Sequence, residues 1–231
     1  ALRSTPPDVL PAPVDVLPVK YPQGAEKMLV TALLGRQVPS RGLPLDVGAL
    51  CINVATTAEI GRLLPHGRGI QERVITITGP GVQKKGNYRI PIGTPLRFIL
   101  DTVGAEVDLS RVFMGGPMMG PAASTLDIPV VKGTSGVVAF TERETGRVRA
   151  PPEYPCIRCG RCVDACPMFL NPSELGLLAK NEEHQRMADD LHLMDCFECG
   201  ACSFVCPSHI PLVQQFRVAK AAIRKSSRAA S

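Results

Sequence analysis

The sequence predicts an α+β chain in three parts, and three observations carry that reading. A proline-rich start gives way to helical patterning, a middle stretch alternates its apolar residues, and eight of the nine cysteines crowd into two short runs near the end. The parts are placed at residues 1–69, 70–150 and 151–231.

Residues 1–22 hold six prolines, at positions 6, 7, 11, 13, 18 and 22. Proline fixes φ and donates no backbone hydrogen bond, so most of this stretch reads as extended linker. Val14–Val19 is the one segment there that could form an edge strand. From Gly24 to Leu34 the apolar residues Met28, Leu29, Ala32 and Leu33 share a helical face, and Gly35 suits the position just past a helix end. A second helix is expected from about Thr56. Thr56-Thr57-Ala58-Glu59 has the form of a capping box, Ile60, Leu63 and Leu64 follow, and Pro65 stops the run.

Between 70 and 150 the period changes from helical to alternating. Ile75 and Ile77 share one face of a strand over Arg73–Thr78, and Tyr88, Ile90 and Ile92 alternate again. Thr94 and Pro95 are expected as N-cap and first residue of a helix that Gly104 closes. Arg111–Met114 and Val137–Phe140 read as further strands. The order strand, strand, helix, strand, strand predicts a small β-grasp-like module.

The last part opens after Pro151-Pro152. Asn171, Pro172 and Glu174 supply an N-cap, a proline at N1 and an acid at N3 for a helix between the two cysteine runs. Beyond the second run Leu212, Val213, Phe216, Ala219 and Ile223 form one helical face. This part is expected to be mostly α-helical.

The cysteine runs are Cys156-Ile-Arg-Cys159-Gly-Arg-Cys162-Val-Asp-Ala-Cys166-Pro167 and Cys196-Phe-Glu-Cys199-Gly-Ala-Cys202-Ser-Phe-Val-Cys206-Pro207. Both follow C-x₂-C-x₂-C-x₃-C-P, the spacing of two-cluster ferredoxins. Three thiolates two residues apart can wrap one cubane in a tight loop, and Gly160 and Gly200 keep each loop free of side-chain bulk. In this pattern the fourth cysteine serves the other cubane. The expected ligands are therefore Cys156, Cys159, Cys162 and Cys206 for a first [4Fe–4S] cluster, and Cys196, Cys199, Cys202 and Cys166 for a second. A pair of structural zinc sites fits less well, because zinc sites usually join two separate C-x₂₋₄-C hooks. A disulfide scaffold would spread its cysteines through a short secreted chain. Arg158 and Arg161 in the first loop, against Glu198 in the second, predict a higher potential for the first cluster.

Composition narrows the remaining classes. Hydrophobic residues make up 45% of the 231 and charged residues 20%, ordinary values for globular material. No apolar run approaches the roughly 18 residues of a membrane span, so no transmembrane segment is expected. The start has prolines where a signal peptide would be apolar, and Ala1 in place of Met raises the expectation of a fragment or processed chain. Trp is absent and aromatics are 4%, which argues against nucleic-acid stacking. Pro207–Ser231 carries five Arg or Lys residues and no acid. That tail suits a solvated helix end, an acidic partner or a membrane surface.

No Ser-His-Asp set, paired catalytic carboxylates or Walker loop is present. Cys51 reads as a buried small hydrophobe, and His66, His184, His192 and His209 show no ligand spacing. Met114-Gly-Gly-Pro-Met-Met-Gly-Pro121 is not G-x-G-x-x-G, and Pro117 and Pro121 interrupt any following helix. It reads as a tight turn or contact loop, with Met118 and Met119 as packing residues.

Several stretches together resemble one family. YPQGAEKMLVTALLGRQVP, LPLDVGALCINVATTAEI, ITGPGVQKKGNYRIPIGTP, MGGPMMG, DIPVVKGTSGVVAF and both cysteine runs resemble the C-terminal part of the C subunit of the Rnf (Rsx) ion-translocating electron transport complex, in order, from about residue 14 to 225. The resemblance implies a peripheral subunit on the cytoplasmic face of the plasma (inner) membrane, working with other membrane and iron–sulfur subunits. It implies electron transfer between ferredoxin and NAD coupled to ion movement. It also implies that residues from about 70 to 123 form that family's soluble-ligand-binding β-grasp domain.

The Rnf C subunit is in turn similar to the NADH-binding flavoprotein of respiratory complex I. That resemblance makes residues 1–69 the remnant of a flavoprotein α/β domain with exposed core, in which Glu26 and Asn53 match positions near the flavin and nucleotide. The glycine-rich loop of that domain lies upstream of YPQGAEK in the family and is not in this sequence. FMN and NAD(H) are therefore expected of the full-length protein, and this chain alone reads as a relay module. The alternative is a cobalamin reductase of bacterial microcompartments, which shares the same three parts. CPSHIPLVQQFRVAKAAIR after the second run looks more like the Rnf protein.

Overall fold

A computed structural model of the chain describes residues 14–145 and 152–229. The chain divides into two compact units, one ending at Cys51 and the other beginning at Ile52.

In the first unit, α1 spans Glu26–Leu34 and ends as the sequence predicts, with Gly35 at φ 63° and its N–H on the Thr31 carbonyl. A 3-10 turn at Pro44–Val47 follows, fastened where Asp46 Oδ2 accepts from the Leu43 N–H at 2.8 Å. Arg36 Nη1 reaches the Val47 carbonyl at 2.7 Å and ties helix to turn. The edge strand expected at Val14–Val19 does not form. A strand needs a ladder partner, and among the described residues nothing pairs with this segment. Large apolar side chains stand exposed in this unit, among them Leu43, Leu45 and Leu50.

The second unit begins with α2, Val54–Leu63. It starts two residues earlier than Thr56, because Asn53 Oδ1 caps it by accepting from the Ala55 N–H at 3.0 Å and the Thr56 N–H at 3.4 Å. Pro65 then sits in a 3-10 turn, Leu64–His66. Four strands follow: β1 Glu72–Thr78, β2 Gly86–Pro91, β3 Leu109–Met114 and β4 Gly136–Thr141. Their order in the sheet is β2-β1-β4-β3, with β1 and β4 parallel at the centre and both outer pairs antiparallel.

Between β2 and β3 runs α3, Leu96–Thr102. Pro95, not Thr94, holds its N-cap position, because the Thr94 hydroxyl donates instead to the Pro91 carbonyl at 2.8 Å. Ile75, Ile77, Val137 and Ala139 from the central strands bury against Leu96, Ile99 and Leu100 of α3. A short turn of helix, α4 at Glu142–Thr145, follows β4.

The remaining helices are α5 Arg161–Asp164, α6 Pro172–Lys180, α7 His184–Asp189, α8 Ala201–Phe204 and α9 Leu212–Ala229. The Asn171 cap of α6 forms as expected, accepting from the Glu174 N–H at 3.3 Å. Leu175 and Leu178 of α6 pack with Met187, Leu193, Leu212, Phe216 and Ala219 in a second core. No helix among the described residues is long and apolar enough to cross a membrane.

Candidate metal centre

The two cysteine runs fold the same way, residue for residue. Arg158 and Glu198 both take left-handed backbone, at φ 54° and 62°, and so do Gly160 and Gly200, at 77° and 82°. One turn of helix follows each glycine, α5 and α8. Phe169 and His209, each three residues past its run's last cysteine, are left-handed again at 55° and 52°. These bends curl each loop around a centre, which straight helix or strand could not do.

A cavity is lined by Cys156, Cys159, Cys162 and Cys206, with Ser173, Leu177 and Ile210 around them. A second is lined by Cys166, Cys196, Cys199 and Cys202, with Leu170, Leu175, Val213 and Phe216. The structure thus gathers three cysteines of each run with the last cysteine of the other. Two contacts hold the exchange in place on the first side. The Tyr154 N–H donates to the Ser208 carbonyl at 2.9 Å, and Ser208 Oγ donates to the Pro155 carbonyl at 2.9 Å. They fix the chain just after Cys206 beside the chain just before Cys156.

The donor chemistry fits iron–sulfur clusters. Each cavity offers four thiols and no competing oxygen ligand is needed. Among the described residues, no group of three or more His, Cys, Asp or Glu is close enough to hold one ion. Four cysteine thiolates in this double-run spacing are the donor set of a [4Fe–4S] cluster.

The two surroundings differ. Cys156 and Cys159 are exposed, whereas Cys202 is buried. Burial, reinforced by its neighbours Cys196 and Cys199, pushes the Cys202 thiol up to about 12. Burial likewise raises Cys162, Cys196 and Cys199, so metal must displace protons that these sites hold firmly. The Glu198 N–H donates to Cys196 Sγ at 3.4 Å, within reach for sulfur.

Sequence reasoning missed a charged group beside the second loop. Glu198 Oε2 accepts from Arg217 Nε at 3.0 Å and its Oε1 from Lys220 Nζ at 3.1 Å. Lys220 also donates to the Cys196 carbonyl. Burial works to raise the Glu198 carboxyl, but Lys220 and Arg217 together outweigh it and hold it below the ordinary range. Two cations of the basic tail are therefore turned inward, while Arg224, Lys225 and Arg228 are exposed. The readable signal was their i, i+3 spacing on one face of α9.

The loop over Met114–Pro121 is a contact loop. Arg217 Nη2 donates to the Met119 carbonyl at 2.9 Å, and a Cβ built on Gly200 would lie 2.9 Å from the Met118 carbonyl. The sheet's loop therefore rests on the second cysteine loop.

The other expected site residues are Glu26 and Asn53. Glu26 is an exposed first residue of α1, and Asn53 spends its side-chain oxygen capping α2. They lie in different units. Cys51 is half-buried, not fully buried.

Family models match three segments: the Nuo51 FMN-binding domain at residues 9–62, the SLBB domain at 74–122 and the 4Fe-4S dicluster domain at 155–210. Curated relatives match across the chain. The C subunit of the proton-translocating ferredoxin:NAD(+) oxidoreductase complex of Clostridium ljungdahlii is 44% identical over 180 residues, 78% of this chain and 39% of the relative. The C subunit of the ion-translocating oxidoreductase complex of Pasteurella multocida is 43% identical over 213 residues, 91% of this chain and 25% of the relative. The Pseudomonas aeruginosa protein of that name is 43% identical over 216 residues, 93% of this chain and 28% of the relative. The chain thus spans between a quarter and two fifths of the length of these relatives. The comparisons give no support to a cobalamin reductase.

Proposed function

The chain belongs to the C-subunit family of ion-translocating oxidoreductase complexes, and from that premise we propose that it is the electron-relay part of such a protein. In this reading it passes single electrons through two [4Fe–4S] clusters, between ferredoxin and NAD, in a membrane complex that couples the transfer to ion translocation. The observation that carries the reading is the pair of cysteine-lined cavities, each completed by the other run's last cysteine.

Cys156, Cys159, Cys162 and Cys206 would hold one cluster, and Cys196, Cys199, Cys202 and Cys166 the other. Bound there, each supplies storage for one electron. The chain's own residues do the rest. The exchanged Cys166 and Cys206 hold the two sites side by side, as sequential transfer needs. The exposed loop of Cys156 and Cys159 is the face open to a redox partner, while Cys202 and the apolar side chains around it exclude water from the other site.

Residues 1–69 fit the end of a flavoprotein domain, residues 70–150 a β-grasp module built on the four-stranded sheet, and residues 151–231 the two-cluster domain. FMN and NAD(H) are assigned to the full-length protein, where Glu26 and Asn53 would lie toward the flavin and nucleotide. The partners are the membrane and iron–sulfur subunits of the complex, met at the cytoplasmic face of the membrane.

The test is reduction of the reconstituted chain. Dithionite should reduce both clusters. NADH with added FMN should reduce neither in this chain, and should reduce them in the full-length protein. Direct NADH reduction of this chain would make it an enzyme in its own right and overturn the relay reading.

A further inference from the structure

We propose that Lys220 is a tuning residue for the second cysteine site, raising the reduction potential of a cluster held by Cys166, Cys196, Cys199 and Cys202. The inference rests on the relay reading above. Lys220 comes from α9, and its side chain is only 7% exposed. Its ammonium donates to the carbonyl of Cys196 itself and to Glu198 Oε1 at 3.1 Å. The charge is thus fixed against the backbone of the loop that supplies three of the four thiols.

Counting charges sets the sign. Glu198 contributes one negative charge and is shared by Arg217 and Lys220, so the group carries one net positive charge. Adding an electron to a cluster makes it more negative, and a fixed nearby cation favours that state. The sequence-based expectation ran the other way because Glu198 stood alone in it, with no cation near. In the first loop, Arg158 and Arg161 are exposed and water screens them. Lys220 acts through a buried path where screening is weak. The Glu198 N–H on Cys196 Sγ works in the same direction.

Lys220 touches backbone and carboxylate rather than a thiol, so it acts through the loop and is a tuning residue, not a ligand. Lysine suits the role, because its compact ammonium can serve two acceptors at once.

The experiment is an EPR-monitored redox titration of the anaerobically reconstituted chain, with iron and sulfide content measured first. In Lys220→Met one of the two midpoints should fall, with the reduction equilibrium of that cluster shifted at least tenfold, about 59 mV for one electron. Lys220→Arg keeps the charge and should stay near the unsubstituted chain. Arg158→Gln should leave that midpoint in place. If Lys220→Met fails to take up the second cluster, Lys220→Gln keeps a donor to the Cys196 carbonyl without the charge, and the same fall is expected. Midpoints that stay put, that move together, or that move as far in Lys220→Arg overturn the inference while the relay reading stands. A chain that takes up no iron–sulfur cluster overturns that reading and the inference with it.

Discussion

Arg217 Nη2 donates to the Met119 carbonyl at 2.9 Å, joining residues 98 apart in sequence. The same guanidinium holds Glu198, so one side chain links the sheet's loop, the second cysteine loop and α9. Arg217→Ala should free the Met114–Pro121 loop. The local cost is on the order of 1 kcal/mol, roughly fivefold in opening. Hydrogen exchange at Gly115, Gly116 and Gly120 should quicken by about that factor while Ile75 and Ile77 in the sheet core hold their rates. Unchanged loop exchange would show that the contact restrains nothing.

The two loop glycines allow a paired comparison. Both have left-handed backbone, so alanine at either costs about 1–2 kcal/mol of strain. At Gly160 an added Cβ meets nothing within 4 Å, whereas at Gly200 it meets the Met118 carbonyl at 2.9 Å. Gly200→Ala should therefore lower the thermal midpoint more than Gly160→Ala, and should speed iron loss from the reconstituted chain. Equal effects would mean that the Met114–Pro121 loop does not press on Gly200 in solution.

Glu59 links α2 to the sheet. Its carboxylate, 8% exposed, accepts from Arg62 at 2.6 Å and from Arg89 of β2 at 3.0 Å. The Arg62 hydrogen bond, opposed by burial and aided by Arg89, holds its carboxyl below the ordinary range. A carboxyl depressed in the folded state contributes stability that is present above its unfolded pKa and is lost as pH falls through the folded one. Glu59→Gln should thus be less stable than the unsubstituted chain at neutral pH, and the gap should close as pH drops below the ordinary carboxylate range. Thermal melts of both chains from pH 7 downward read this directly. A gap that widens on acidification would contradict the pairing.

Much of this was legible because local chemistry decided it. Gly35 ends α1 since only a residue at ease with positive φ closes that helix, and Asn171-Pro172 starts α6 since its cap lies two and three residues from its donors. The cysteine spacing is local too, so the loops could be read directly. What escaped the sequence depended on partners distant in the chain or on competition between neighbours. Val14–Val19 alternates but has no ladder partner among the described residues. Thr56 fits a capping box, yet Asn53 caps the Ala55 and Thr56 amides and starts the helix two residues earlier. Lys220 looked like one more solvated cation of a basic tail, and only the fold brings it to Glu198, 22 residues upstream. Glu198 in turn looked like an unopposed negative charge for the same reason.

The central claim is that each cubane takes three thiols from one run and a fourth from the other. The direct measurement is EPR with iron and sulfide content for Cys206→Ser beside Cys156→Ser and Cys196→Ser, each reduced anaerobically. The account predicts that Cys206→Ser perturbs the same cluster signal as Cys156→Ser and leaves the signal lost in Cys196→Ser intact. A Cys206→Ser chain whose spectrum matches that of Cys196→Ser would contradict it.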